Sequence, residues 1–335
     1  MPALFVFLFC VSPWAQEVTV VYVEGDTSRK DTGGALRRLD FGDALSAGDS
    51  VITKKNGRAE LELPNRSAIS VRPDTVFTIG EAELSGGEKQ SVLTTAVGSV
   101  AYKLNKFTGS SPLIRSNSMV AGVRGTELEV YAGMDGSSLV VVTEGQVELT
   151  AQGTTVSLGV NEAVEVRAGQ APGEKYAWLG KEMDFSSWND SKMDEFLKDP
   201  VAGIERVEKQ LAYFRDEMQA LLPVYEELTR ESTQTAEEFQ RLRAGNDAER
   251  AKDVQNYLIN DLNKRWSVLF LNIRYYALSY LSMRRFVVGG LYAEMRSRYI
   301  LKQDDPAFQD FFGIYGRIIK DYEEKIVPQL VEADI

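Results

Sequence analysis

Histidine is absent from this sequence, and cysteine occurs once, as Cys10. Without histidine there is no Ser-His-Asp triad, no imidazole general base and no histidine ligand for zinc. Basic residues are also scarce. Against 49 Asp and Glu stand 38 Lys and Arg, a formal charge of −11 over 335 residues. That balance argues against a general affinity for nucleic acid, because phosphate binding needs clustered Lys and Arg. Hydrophobic content of 44% and charged content of 26% are ordinary globular values and exclude global disorder. The length suits about two domains.

Long apolar runs are rare too. Residues 4–11 form an uncharged apolar stretch, far short of the ~20 residues a spanning helix needs. At an N-terminus such a run reads as the core of a secretory leader, cut after Ala15, and residues 1–16 are assigned to it. No Lys or Arg precedes Leu4, which is compatible with a natural start upstream of Met1, and Pro13 is an unusual residue three before the cut. Bulky Phe9 disfavours a lipid anchor on Cys10. Loss of the leader would remove the one thiol, which suits an oxidising compartment. The expected location is periplasmic or otherwise extracytoplasmic.

From residue 17 to 170 the pattern has period two. Ala59-Glu60-Leu61-Glu62-Leu63, Leu128-Glu129-Val130, Val147-Glu148-Leu149 and Val164-Glu165-Val166 alternate apolar with acidic side chains, as half-buried strands do. Turn signals separate the runs: Gly33-Gly34, Asn56-Gly57, Pro64-Asn65, Gly86-Gly87, Asp135-Gly136 and Glu144-Gly145. Short strands with glycine-rich turns predict an all-β sandwich or roll.

One ordered set of segments goes further. Gly122-Val123-Arg124-Gly125-Thr126 leads into an alternating strand. It is preceded by Gly42-Asp43, Gly48-Asp49 and Ala96-Val97-Gly98-Ser99-Val100, and followed by Thr143-Glu144-Gly145-Gln146-Val147 and Asn161-Glu162-Ala163-Val164. The set resembles the FecR-type extracytoplasmic domain over residues 25–170. It departs where the family often has Thr-Pro, since Ser116-Asn117 stands there. The family's regulators carry an anti-sigma segment and a membrane helix ahead of this domain, and neither pattern is present here. The resemblance therefore implies the fold and an envelope location rather than control of a sigma factor. Arg124 has two readings: a donor fork for a ligand carboxylate or phosphate, or a structural side chain bonding nearby carbonyls or a buried acid. The structural reading is favoured for the whole Gly122, Val123, Arg124, Gly125, Thr126 signature.

Composition changes at Ala171-Pro172-Gly173, where a linker over 171–190 begins, with Trp178, Phe185 and Trp188 as anchors for docking on the β-domain. Beyond it the period becomes 3.6. Ile204, Val207, Leu211, Phe214, Met218 and Leu221 make one stripe, and Pro223 is expected to bend or end that helix, or to open the next one. Val254, Leu258, Leu262, Trp266, Leu269, Ile273, Tyr276, Tyr280 and Met283 make the strongest stripe, with a weak point at Gly289-Gly290. Asp304-Asp305-Pro306 stops one helix and caps the next, which Pro328 closes. About four antiparallel helices over 191–335 are expected. Arg274, Arg284 and Arg285 argue against a membrane span over residues 269–292. The predicted fold class is thus multidomain β plus α, an all-β sandwich or roll followed by an antiparallel helical bundle.

Candidate chemistry is sparse. No phosphate loop is present, and Asp40, Asp43 and Asp49 sit at glycine turns. No catalytic residue, cofactor or metal is expected. Arg274, Tyr275, Tyr276, Tyr280, Arg284, Arg285, Tyr292 and Arg296 are either a thick core with arginines reaching solvent or an aromatic–basic face for a partner. The leading reading is a non-enzymatic envelope protein: a β recognition or assembly module joined to a helical partner-binding module. Its partner would be an envelope protein or glycan, with self-association through the helical domain as a further option and no role for nucleic acid. An exported sensor or regulator acting through a separate membrane partner is the alternative. A carbohydrate-active enzyme using carboxylates is the third.

Overall fold

The alternating first half becomes two facing sheets and the 3.6-periodic second half becomes helical rods, so the chain is a β-plus-α multidomain protein. The computed structural model describes residues 18–83, 89–107, 110–180, 183–245 and 247–332. The expected leader with Cys10, the Gly86-Gly87 turn and Asn246 lie outside the described residues.

The first sheet runs edge to edge through β4 (Ala44–Leu45), β1 (Val18–Glu24), β6 (Arg58–Glu62), β7 (Ala68–Val71), β9 (Lys89–Lys103), β12 (Glu127–Ala132), β13 (Ser138–Glu144), β16 (Glu162–Val166) and β17 (Tyr176–Ala177). The second runs through β3 (Leu36–Arg38), β2 (Thr27–Lys30), β5 (Ser50–Thr53), β8 (Val76–Glu83), β9 again, β10 (Leu113–Arg115), β11 (Val120–Val123), β14 (Val147–Ala151) and β15 (Thr154–Leu158). Among the described residues every pairing is antiparallel except β9 with β10. Alternate residues such as Leu61, Ile69, Phe77, Leu93, Val130, Val140, Leu149 and Val164 fill the space between the sheets and are fully buried.

One strand belongs to both sheets. The first part of β9 pairs with β8, and the part from Gly98 onward pairs with β12. Gly98 makes that corner at φ +103°, and a Cβ there would lie 2.2 Å from Thr75 Oγ1. The same hydroxyl accepts from the Ser99 N–H at 3.0 Å and donates to the Ser99 carbonyl at 3.2 Å. Glycine is therefore required twice, by conformation and by space.

The outer face of the first sheet is covered as well. Tyr131, Leu139, Val141 and Ala163 point away from the sandwich core and pack with Trp188, Trp178, Met183 and Phe185. This explains why residues 138–142 of β13 are buried on both faces. The linker aromatics are seated there, with the Trp188 ring 6.0 Å from Tyr131.

The helices are α1 (Phe185–Lys198), α2 (Pro200–Ala244), α3 (Ala248–Tyr257), α4 (Asn263–Met283), α5 (Gly289–Arg298), α6 (Pro306–Asp321) and α7 (Val327–Glu332). Asp184, Asp199, Asp247 and Asp305 each accept a backbone N–H at a helix start. Among the described residues, short α1 and three long rods make up the about four helices expected, with ends that differ from the expected ones. Pro223 does not end α2, which continues for 45 residues. Pro223 and Val224 are exposed, so water can satisfy the carbonyl that loses its partner. π-Turns at Leu258–Leu262 and Arg284–Val288 join α3, α4 and α5 into one rod that passes through Gly289-Gly290 unbroken. A third, at Tyr322–Ile326, joins α6 to α7 and carries the helix past Pro328.

The rods share a core of Ile204, Val207, Leu211, Phe214, Met218, Ile273, Tyr280, Met283, Leu291, Phe311 and Ile318. Arg215 clamps α2 to α6 through both oxygens of Asp321, at 2.8 and 2.9 Å. Among the described residues no helix is long and apolar enough to cross a membrane.

Gly98→Ala is expected to cost about 2–4 kcal/mol of stability, since it combines a disfavoured φ with steric overlap. Gly33→Ala, at an exposed turn, is expected to stay within about 0.5 kcal/mol. Paired urea titrations check both. Equal midpoints for the two variants would count against the corner assignment.

Candidate functional site

The signature glycines and threonine build a turn. Gly122 and Val123 end β11, and Val123 is buried in the sandwich core. Gly125 takes φ +60°. The Arg124 N–H donates to Thr126 Oγ1 at 3.2 Å, and that hydroxyl donates to the Gln146 carbonyl at 3.3 Å. A Cβ on Gly145 would lie 2.7 Å from the Gly125 carbonyl, so this turn nests against the β13–β14 turn. Thr126 is buried and also exchanges backbone hydrogen bonds with Leu104. The Arg124 side chain is exposed on the outside of the turn. The acids of the first half are engaged similarly. Asp43 accepts the Asp40 N–H at 3.0 Å, and Asp49 accepts the Ser46 N–H and Arg29 Nη2, both at 2.7 Å.

The eight residues, with their two readings as a core or as one aromatic–basic face, separate into three pairs, with Arg274 and Arg285 outside them. Tyr280 is buried in the bundle and stacks on Tyr322 at 6.3 Å, with Arg284 3.9 Å above the same Tyr322 ring. Arg285 is exposed beside Phe286, and Arg274 is half-buried. Tyr275 and Tyr276 turn toward the β-domain and Tyr213. Tyr292 and Arg296 turn toward α6, where Tyr292 meets Tyr315 at 4.8 Å and Phe312 at 5.4 Å. A run of more than 20 residues passes around the helix several times, and the π-turn at Arg284–Val288 shifts its phase between the groups. One face was not available to all eight.

The Tyr275–Tyr276 group belongs to the junction between the domains. Gln210 of α2, 3% exposed, accepts the Gly169 N–H and the Gln152 side-chain amide, each at 3.0 Å. Gly169 has φ +66°, and a Cβ there would lie 2.6 Å from the Arg206 carbonyl, so the β-domain backbone touches α2 directly. Asn189 of α1 accepts the Met134 N–H at 2.9 Å. Gly136 abuts Met283 and Val287. Lys192 bonds Glu165 at 2.7 Å.

Beside Gln210 lies Arg115, the last residue of β10. Its guanidinium carbon sits 3.2 Å from the centre of the Tyr275 ring. Burial pushes this guanidinium below its ordinary pKa, while Tyr275, Tyr276 and Tyr213 pull it back up. Burial also raises Tyr276, whose hydroxyl donates to Glu217 at 3.3 Å. Neither Arg115 nor Gln210 stands out in the sequence. Alternation predicts Arg115 on a solvated face, and only the helical cover makes it buried.

Among the described residues no cluster of three or more His, Cys, Asp or Glu is placed to hold a metal. Residues 49–148 match the FecR family, described as FecR protein. Two crystal structures of a proposed anti-sigma factor from Parabacteroides distasonis ATCC 8503 are similar, at 17% and 18% identity. Each match has a TM-score of 0.34 and covers 38% of this chain and 59% of the other. No curated protein matches the chain.

Gln210→Leu strands the buried Gly169 N–H, at an expected cost of about 1–3 kcal/mol. Calorimetry is expected to show one unfolding transition for the native chain and two for the variant, with faster proteolysis between residues 171 and 183. A single transition of unchanged midpoint would show that the bond does not couple the domains.

Proposed function

We propose that this chain, which carries a FecR-type domain, is a non-catalytic partner-binding protein of the cell envelope. The β-domain acts as the platform and the helical domain carries the contact surface. The family match supports the envelope location. The observation that carries the binding role is an aromatic strip on the α5–α6 hairpin. Tyr299, Phe308, Phe312, Tyr315 and Tyr292 are only half-buried, and their rings follow one another at 5.6, 4.4, 5.9 and 4.8 Å. Ile300 and Leu301 at the tip are 65% and 93% exposed. Arg296 donates to the Tyr292 hydroxyl at 3.2 Å and is itself exposed. A contiguous apolar patch of this kind on a folded domain marks an interaction surface, and Tyr and Arg are favoured anchors in such surfaces.

The family match favours a second reading, in which the protein signals through a separate membrane partner. The same strip would then face that partner.

Crosslinking capture from the native envelope, with the native chain and with Phe312→Ala plus Leu301→Ser, tests the proposal. A specific envelope protein or glycan is expected with the native chain, and at least about tenfold less with the variant. Equal capture, or recovery of the protein alone, would overturn the role of the strip. A membrane-spanning species in the captured set would select the signalling reading.

A further inference from the structure

The Arg115 cavity has features that the aromatic strip does not share. In the sheet, Arg115 lies opposite Thr94 of β9 and Val120 of β11. Ile114 enters the sandwich core, so strand alternation sends Arg115 to the outer face, beneath α2 and α4. Arg115 is 8% exposed, and its Nε and Nη1 are buried with no hydrogen-bond partner. It borders a cavity of about 120 Å³. Ser116, Thr150, Gln152, Gln210, Tyr213 and Tyr276 bring hydroxyls and amides to its wall. No Asp or Glu is among the described residues that line it. The Tyr275 ring offsets part of the buried charge through its π-face, but it accepts no strong hydrogen bond from the guanidinium edge. A buried cation is ordinarily paired with an anion.

We propose that this cavity binds a monocarboxylate, with Arg115 as its charge partner and the surrounding hydroxyls and amides as orienting groups. Three features select that class. Guanidinium N–H groups and carboxylate oxygens form short, charge-assisted hydrogen bonds. A single arginine balances one negative charge, and Glu217, reached through the Tyr276 hydroxyl, disfavours a dianion such as phosphate. The volume is well above the ~10–15 Å³ that one water needs, which leaves room for a carboxylate on a small substituent. The rim at Gly153 is exposed and offers the way in. A free metabolite or the C-terminus of a peptide would present the same group.

Calorimetric titration of the full chain tests the site with four probes: acetate, N-acetylalanine, N-acetylalaninamide and inorganic phosphate. Saturable binding of acetate, of N-acetylalanine or of both is expected, with the amide at least about tenfold weaker. Acetate alone would indicate a free small acid, and N-acetylalanine alone a chain terminus. Arg115→Gln is expected to abolish binding. Because that variant removes a buried group, its fold is checked by circular dichroism, and the amide comparison stands on the native chain by itself. The proposal is overturned if the amide binds as well as the acid, if phosphate binds more tightly than either carboxylate, or if no carboxylate binds and the cavity holds water only.

Discussion

The seating of α2 on the β-domain centres on one buried amide. Gln210 on α2 accepts from Gly169 at the end of the β-domain and from Gln152 at the β14–β15 turn, and so ties the 45-residue helix to two separate β segments. Those donors could not be buried without an acceptor, because a stranded N–H costs more than a hydrogen bond returns. Gly169 lets the backbones approach closely enough for the bond to form. Once α2 is fixed there, α4 is carried over the outer face of the second sheet, and Tyr275 closes over Arg115. The junction is therefore held by buried hydrogen bonds and direct backbone packing.

The two-part fold was legible because each half has one period. Strand alternation buries Leu61, Val130 and Leu149, and the 3.6 stripe buries Ile204, Val207, Leu211 and Phe214 as it must. Length was harder to read than type. Pro223 and Pro328 look like stops, yet both lie inside helical rods, the first on an exposed face and the second just after a π-turn. The π-turns themselves left no signal in the hydrophobic pattern. They also decide why the arginines and tyrosines of residues 274–296 do not share a surface.

The site residues divide along the same line. The signature was visible as a motif, and its geometry gives the structural work to Gly125, Thr126 and Gly145, while the Arg124 side chain remains on the surface. Arg115 and Gln210 were invisible because their burial is a tertiary effect. Arg115 falls on the face that alternation gives to solvent, and Gln210 at the edge of the α2 stripe, three residues after Val207 and four before Phe214; both are buried where the domains meet. Among the described residues no carboxylate lines the cavity beside Arg115, and the proposed carboxylate site would give the seam a role beyond packing.

Hydrogen exchange at the Gly169 amide tests this account most directly. Among the described residues its hydrogen-bond acceptor is Gln210, a side chain 41 residues away on the helical domain. If the two domains form one cooperative body, this amide opens with nearly the free energy of the core amides in β16. Exchange of Gly169 at the rate of the exposed linker amides around residue 174, while β16 stays protected, would contradict it.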